Sequence, residues 1–313
     1  MKKEKEVITH GMDIKAESSG SGSRAVNKFR ISDAVLMLII LILCLTCVLP
    51  FIHLAAKSVS SNSYVLAQQV FLWPKGLNID AYVSVLQDGS MTSSLLFTIG
   101  ITVVFTALGM LVCICAAYPL SKRRLKGRTV LTFLLMFPLY FSAGLIPSFL
   151  LYRDLNIYDT AWVLILPLIY SPYNMLIMKS YLQSNIPASL EESAFIDGGT
   201  NIQILMKVAL PLSKPIIATL SLFYAVGRWN AYADNLYFTR RDDLKMLQYR
   251  LYKLVASARE AQAAGLAEGV TVTSTAETLH AAMIMFATIP ILVVYPFAQK
   301  YFVKGVMIGA VKG

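Results

Sequence analysis

The side chains able to do acid–base, metal or redox work are few and far apart. His10, His53 and His280 are scattered over the N-terminal segment and the ends of apolar runs, so neighbouring sequence assembles no metal cluster and no histidine-based triad. Cys44-x-x-Cys47 has redox spacing but lies in an apolar run without a soluble βαβ context, and Cys113 and Cys115 lie in another; all four read as small packing residues. The nearest approach to a phosphate loop, Gly305-Val-Met-Ile-Gly309-Ala-Val-Lys312-Gly313, lacks the Lys-Ser/Thr pair that reaches phosphate and magnesium. The chain is therefore expected not to be an enzyme and to hold neither metal nor cofactor. What remains is recognition chemistry. Tyr224, Arg228, Trp229, Asn230, Tyr232 and Asn235 fall in one short stretch, and Tyr173 and Asn174 follow Pro172 in another. Rings and amides suit sugars, whose C–H faces stack on aromatics while their hydroxyls exchange hydrogen bonds. They suit helix–helix contact and an interfacial aromatic belt equally well.

Those residues must be positioned by long apolar elements. The 313 residues are 56% hydrophobic and 15% charged, whereas a soluble domain is nearer 45–50% and about 25%. Residues 34–56, 89–121, 129–152, 160–178 and 278–299 contain no Asp, Glu, Lys or Arg. Each comes close to or exceeds the roughly 20 residues that cross a hydrocarbon core. A sixth window, 215–236, is interrupted only by Arg228 and Asp234. The expected fold class is an all-α polytopic membrane protein of six helices, about 34–56, 93–119, 129–152, 160–182, 215–236 and 278–300. On a continuous fifth helix Tyr224, Arg228, Tyr232 and Asn235, at i, i+4, i+8 and i+11, share one face. Arg228 is then left to snorkel outward or to pair with Asp234 or a partner's carboxylate. Pro172 is expected to kink the fourth helix.

Lysine and arginine set the orientation. Segments 1–33, 120–128, 179–214 and 299–313 hold 18 basic residues, against 9 in the opposite loops 57–91, 153–159 and 235–277. Both termini are expected inside. The net charge of +10 is thereby a topology signal, and nucleic-acid binding drops out. Residues 1–32, with Glu17-Ser-Ser-Gly-Ser-Gly-Ser-Arg24, cannot bury a core and read as a mobile cytoplasmic tail; residues 33–313 form the membrane domain. In the external loop 235–277, Leu244, Leu247, Leu251, Leu254, Val255 and Ala258 recur at helical spacing and predict an amphipathic helix, which either contacts a partner or shields the bundle.

The internal loop 183–213 is built for docking. Pro187 suits a first helical turn and Ser189-x-x-Glu192 is a capping-box pattern. Gly198 and Gly199 suit a left-handed stop, and Thr200-x-x-Gln203 opens a second helix bounded by Pro211 and Pro215. Leu190, Ala194 and Gly198 form a narrow seam, while Glu191 and Glu192 near the helix start suit a basic partner.

This loop resembles the Glu-Ala-Ala loop of permease subunits in binding-protein-dependent ABC importers. The pattern appears as Glu192-Ser193-Ala194, then Asp197-Gly198, then Val208-Ala209-Leu210-Pro211, with Asp197 as in the sugar-importing branch. Ser193, Gly199 and Leu205 depart from it conservatively. Tyr295-Pro-Phe-Ala-Gln-Lys-Tyr-Phe-Val-Lys-Gly-Val-Met-Ile-Gly-Ala-Val-Lys-Gly313 is similar to the ending of the oligo- and polysaccharide branch, and the resemblance spans roughly 90–313. It implies a type I importer permease fold in a bacterial cell membrane. It further implies a second homologous permease, two ATPase subunits that bind ATP and magnesium, an extracellular substrate-binding protein and an oligosaccharide cargo. Leu190, Glu191, Glu192, Ala194, Asp197 and Gly198 would then couple to the ATPase. An amino acid or peptide cargo on the same scaffold, or a non-transporting membrane scaffold, are the competing readings.

Overall fold

A computed structural model describes residues 31–87, 89–268 and 275–310, with side chains described over 33–87, 89–257 and 277–296. The tail expected over 1–32 lies outside the described residues except for Ile31 and Ser32, and so do the side chains of the C-terminal ending beyond Pro296. Among the described residues the regular structure is helical, apart from one antiparallel bridge between Ser60 and Leu77.

Helix α1 (Ile31–Ser58) opens with Asp33 and closes with Lys57, charges that complement the helix dipole. Its first part, through Val48, forms a unit of its own, an apolar rod with exposed side chains. The remaining chain, from Leu49 onward, is the second unit. There the short α2 (Asn62–Leu66) and α3 (Asp80–Gln87) lead into α4 (Ser90–Ser121), the central element. Ile101, Phe105, Met110, Cys113, Ala117 and Leu120 of α4 are buried in one core. They meet Met175, Met178 and Leu182 of α7 (Pro172–Asn185) and Ile216, Leu220 and Tyr224 of α11 (Lys214–Asn230).

The third predicted span is not one helix. Residues 129–152 divide into α5 (Arg128–Met136), a 3-10 turn at Phe137–Leu139, a non-helical run 140–144 and α6 (Leu145–Asp154). Pro138 sits in the turn, and Gly144 has φ +86° and ψ 177°, a conformation essentially restricted to glycine. The fourth, 160–182, is also divided. Two 3-10 turns over Ala161–Leu168 meet α7 (Pro172–Asn185) at a bend of 48°. Pro172 therefore opens a helix instead of kinking one, because its missing N–H costs nothing at the first position and Ser171 caps the turn by accepting from the Asn174 amide at 3.3 Å.

Past α8 (Ala188–Ile196) and α9 (Asn201–Ile204) the backbone widens into a π-helical segment, Leu205–Ala209, before α10 (Leu210–Leu212). Pro211, which can neither donate to the carbonyl four residues back nor clear it, sits just after that widening. An 82° bend then leads into α11 (Lys214–Asn230). The expectation of a continuous fifth helix fails at Ala231, whose ψ of 132° is extended; α12 (Ala233–Phe238) follows. Tyr224 and Arg228 thus lie on one helix, and Tyr232 and Asn235 on the break and the next. Polar side chains at the break compete for the backbone: the Asp234 carboxylate accepts the Asn235 amide at 3.0 Å.

The helix expected in 235–277 is α13 (Leu247–Glu268), and the chain ends in α14 (Thr275–Ala310). Leu244 and Leu247 are buried, Leu251 and Leu254 half-buried, Val255 exposed; Ala258 is outside the described side chains. Val85, Met91, Trp229, Leu247 and Ala287 form a second core. Among the described residues three stretches are continuous and apolar enough to cross a membrane: Asp33–Ser58, Ser90–Ser121 and Glu277–Pro296. The two bent pairs raise the number to five.

Candidate functional site

The loop 183–213 folds as a helical elbow with a fixed back and a free front. Pro187 is the N-cap of α8, with φ −60° and ψ 137°. That places Ser189 inside the helix, where its carbonyl accepts from Ser193 Oγ at 2.9 Å, and the predicted Ser189–Glu192 capping box does not form. The far end matches expectation more closely. Gly198 takes φ +80°; its amide donates to Phe195 O at 3.0 Å and the Gly199 amide to Ala194 O at 2.9 Å, the paired bonds of a Schellman stop. Gly199 keeps a negative φ and is needed for another reason: a Cβ there would lie 2.6 Å from Ala194 O. Thr200 and Gln203 form the predicted capping box, with the Thr200 amide donating to Gln203 Oε1 at 2.8 Å.

Side chains from the end of α4 hold the elbow. Lys122 pairs with Glu191, both largely buried. Arg124 donates to Asn201 Oδ1 and stacks its guanidinium 4.2 Å from the Phe195 ring centre. Glu191 is thereby committed within the chain, whereas Leu190, Glu192, Asp197 and Gly198 are exposed and Ala194 is half-buried. The front carries apolar side chains that no described residue covers: Ile196 is 86% exposed and Ile202 73%, and Met206 is exposed as well. A charge reversal tests the tether. Lys122→Glu or Glu191→Lys alone should loosen α8 by about 2 kcal/mol, the scale of a charged hydrogen bond. Amide exchange in α8 should rise in each single variant and return towards wild type in the double swap.

The second group of predicted site residues splits. Arg228 is 1% exposed. Its guanidinium donates through Nη1 to Leu164 O (2.8 Å) and Asp234 Oδ2 (2.5 Å), and Nη2 lies 3.2 Å from Met246 Sδ. Asn235, also buried, donates to Thr239 Oγ1 (2.9 Å) and Leu244 O (2.7 Å) and accepts from the Met246 amide (2.9 Å). These bonds clasp residues 234–247 onto the turns at 161–168 and onto α4, where the Leu247 amide donates to Thr98 Oγ1 at 2.8 Å. Asp159 fastens the outer edge by accepting the Arg240 and Arg241 amides at 2.6 and 2.9 Å. Burial alone would raise the Asp159 carboxyl, but those amides outweigh it and hold the group below its ordinary range. Burial pushes the Lys245 ammonium down.

Tyr224 and Trp229 are buried, and Asn174 faces the Tyr224 hydroxyl from α7. Tyr173, Asn230 and Tyr232 are exposed, and Tyr232 stacks on Tyr252 with centroids 4.7 Å apart. The structure therefore brings Arg228 and Asn235 into one network, sets Tyr224 against Asn174, buries Trp229 in the second core, and leaves Tyr173, Asn230 and Tyr232 at the surface. Sequence reading missed Tyr140, 84% exposed, and Phe141 in the non-helical run 140–144. The signal was the bracket of Pro138 and Gly144. It also missed Lys122 and Arg124, which counted only as topology charges.

No family model matches the sequence. Individual proteins do. The polygalacturonan/rhamnogalacturonan transport system permease protein YtcP of Bacillus subtilis (strain 168) is 40% identical over 286 residues, 91% of this chain and 100% of that protein. A chain in the crystal structure of a bacterial ABC transporter involved in the import of the acidic polysaccharide alginate superposes with a TM-score of 0.78 at 34% identity, covering 88% of this chain and 99% of that one. A chain of bacterial alginate ABC transporter in complex with alginate pentasaccharide-bound periplasmic protein shares the fold, with a TM-score of 0.58 at 18% identity over 85% and 92%. Apolar bent helices, an elbow with the Glu-x-Ala, Gly and Leu-Pro spacing, and identity along the full length of such a relative agree: the protein belongs to the permease family of carbohydrate ABC transport systems.

Proposed function

We propose that the chain is one of two homologous permeases enclosing an import path for oligosaccharides in a bacterial cell membrane, with both termini inside and six crossings. The sixth crossing is the divided 129–152 segment. An external binding protein delivers cargo and two cytoplasmic ATPase subunits, binding ATP and magnesium, drive the cycle. The observation that carries this reading is the elbow. Its back is fixed to the turn after α4 by Lys122–Glu191 and Arg124–Phe195, while Leu190, Ile196, Ile202 and Met206 stand exposed in front. A stiff helix with an apolar prow suits a groove on a separate motor, whose closure it passes to α4, α7 and α11. Glu192 and Asp197 at the rim suit basic groups on that motor.

For the path itself, exposure favours Tyr173, Asn230 and Tyr232, with Arg228, Asn235, Trp229, Tyr224 and Asn174 shaping the wall from behind. Tyr140 and Phe141 join the surface set, because non-helical backbone at membrane depth is tolerated only where protein or a wet cavity meets it. The relatives' cargoes, polygalacturonan/rhamnogalacturonan and alginate, place acidic-sugar oligomers first on the panel to be tried.

Gly198→Trp tests the reading. A non-glycine residue at φ +80° costs about 1–2 kcal/mol, and an indole would protrude from the front of the elbow. The variant should insert in the membrane normally, fail to retain the ATPase on co-purification, and show background uptake and no cargo-stimulated hydrolysis. Normal uptake would remove the elbow from the mechanism.

A further inference from the structure

The turn between α4 and α5 carries Lys122, Arg123, Arg124, Lys126 and Arg128 between two charge-free windows. Two of the five are used: Lys122 on Glu191, and Arg124 on Asn201 and Phe195. Arg123, Lys126 and Arg128 meet no carboxylate among the described residues. Arg128 is half-buried, and a further cation stands near it: Lys179 of α7, whose ammonium lies 3.2 Å from Thr132 Oγ1, about one helical turn along α5 from Arg128. Holding two cations together at a partly dry surface is unfavourable unless an anion joins them. Arg123 and Arg128 line an open cleft of about 560 Å³ together with Gly127 and Thr129. Both also line the neighbouring cleft whose far wall is Glu191, Glu192 and Phe195 of α8.

The same turn runs directly into an exposed apolar surface. α5 has no buried residue, and Val130, Phe133 and Leu134 are exposed within two turns of Arg128. A phosphodiester carrying acyl chains satisfies both halves at once: its charge meets the cations and its chains lie along α5. An anionic headgroup of a cytoplasmic leaflet reaches a basic collar at this level.

We infer that Arg123, Arg128 and Lys179 bind the headgroup phosphate of an anionic phospholipid, and that the bound lipid steadies the α4–α5 turn from which Lys122 and Arg124 hold the elbow. The inference rests on the permease reading for its cytoplasmic side, but its first readout is lipid binding and not transport. Phosphate is the shared chemistry of lipid and free anion, and the exposed apolar face of α5 commits the site to lipid.

The test uses the intact transporter purified from detergent into discs of phosphatidylcholine with or without phosphatidylglycerol. Native mass spectrometry counts lipid retained through detergent exchange. Each cation near an anionic lipid is worth about fivefold in affinity, so Arg123→Gln/Arg128→Gln/Lys179→Gln should weaken retention of phosphatidylglycerol about a hundredfold. The triple change Lys75→Gln/Arg153→Gln/Lys253→Gln, which removes equal charge from exposed residues of the opposite loops, should leave retention as in wild type. Cargo-stimulated hydrolysis should rise with phosphatidylglycerol in wild type and lose that response in the first triple variant. Gly198→Trp should lose hydrolysis yet keep the lipid, which separates failure of the coupling reading from failure of this one. Equal phosphatidylglycerol retention by the first triple variant and wild type overturns the site, and so does displacement of the lipid by millimolar inorganic phosphate.

Discussion

Arg228→Met should be the most damaging single change in the bundle. It leaves Leu164 O without its donor and the Asp234 carboxylate, 11% exposed, without its cation. Removing one member of a buried pair costs about 3–5 kcal/mol, mostly because the abandoned charge stays buried. The clasp over 234–247 should then open, which thermal unfolding of the purified chain would register as a large drop in midpoint and proteolysis as new cleavage in 231–246. Arg228→Met/Asp234→Leu should recover more than half of the loss, since apolar groups of similar volume replace such pairs at little cost. If the double variant melts as low as the single, the arginine acts on something other than Asp234.

Gly109→Leu should rank next. A Cβ at this position would lie 2.8 Å from a ring carbon of Tyr224 and 2.9 Å from another, so α4 and α11 pack at a distance that only glycine allows. Even Gly109→Ala forces the ring aside, at about 1–3 kcal/mol, and Leu should exceed that range. Tyr224→Leu placed in the Gly109→Ala background should relieve part of the cost by clearing the ring. Thermal midpoints of these three variants and of wild type decide it. Unchanged stability of Gly109→Ala would mean that the two helices do not hold this separation.

How much of this was legible beforehand depended on range. Charge-poor windows, five without a charge and one holding only Arg228 and Asp234, picked out the apolar stretches, because desolvating a charge is expensive wherever it occurs along a helix. The Thr200–Gln203 box and the Gly198 stop were equally readable, being set by bonds three to five residues apart. Continuity was not. Nothing local in Asn230-Ala231-Tyr232 forbids a helix; the break follows from Arg228 and Asp234 meeting each other and Leu164 from a distant segment. The capping box at Ser189 failed for a nearer reason, since Pro187 at the cap placed that serine two residues too deep. For the candidate site, residue types picked out Arg228 and Asn235 but burial gave them structural partners. The retaining role of Lys122 and Arg124 lay hidden because Glu191 and Asn201 are 69 and 77 residues away.

The wide turn at Leu205–Ala209 has an angular consequence. A π segment accommodates one residue more than an α-helix of the same rise, and each residue of an α-helix turns the chain by about 100°. Ile202 therefore points about a quarter-circle away from the azimuth it would have if the α register ran unbroken back from Pro211. The single surplus residue aims the apolar prow of the elbow, and a one-residue deletion there would swing that prow sideways while leaving its composition intact.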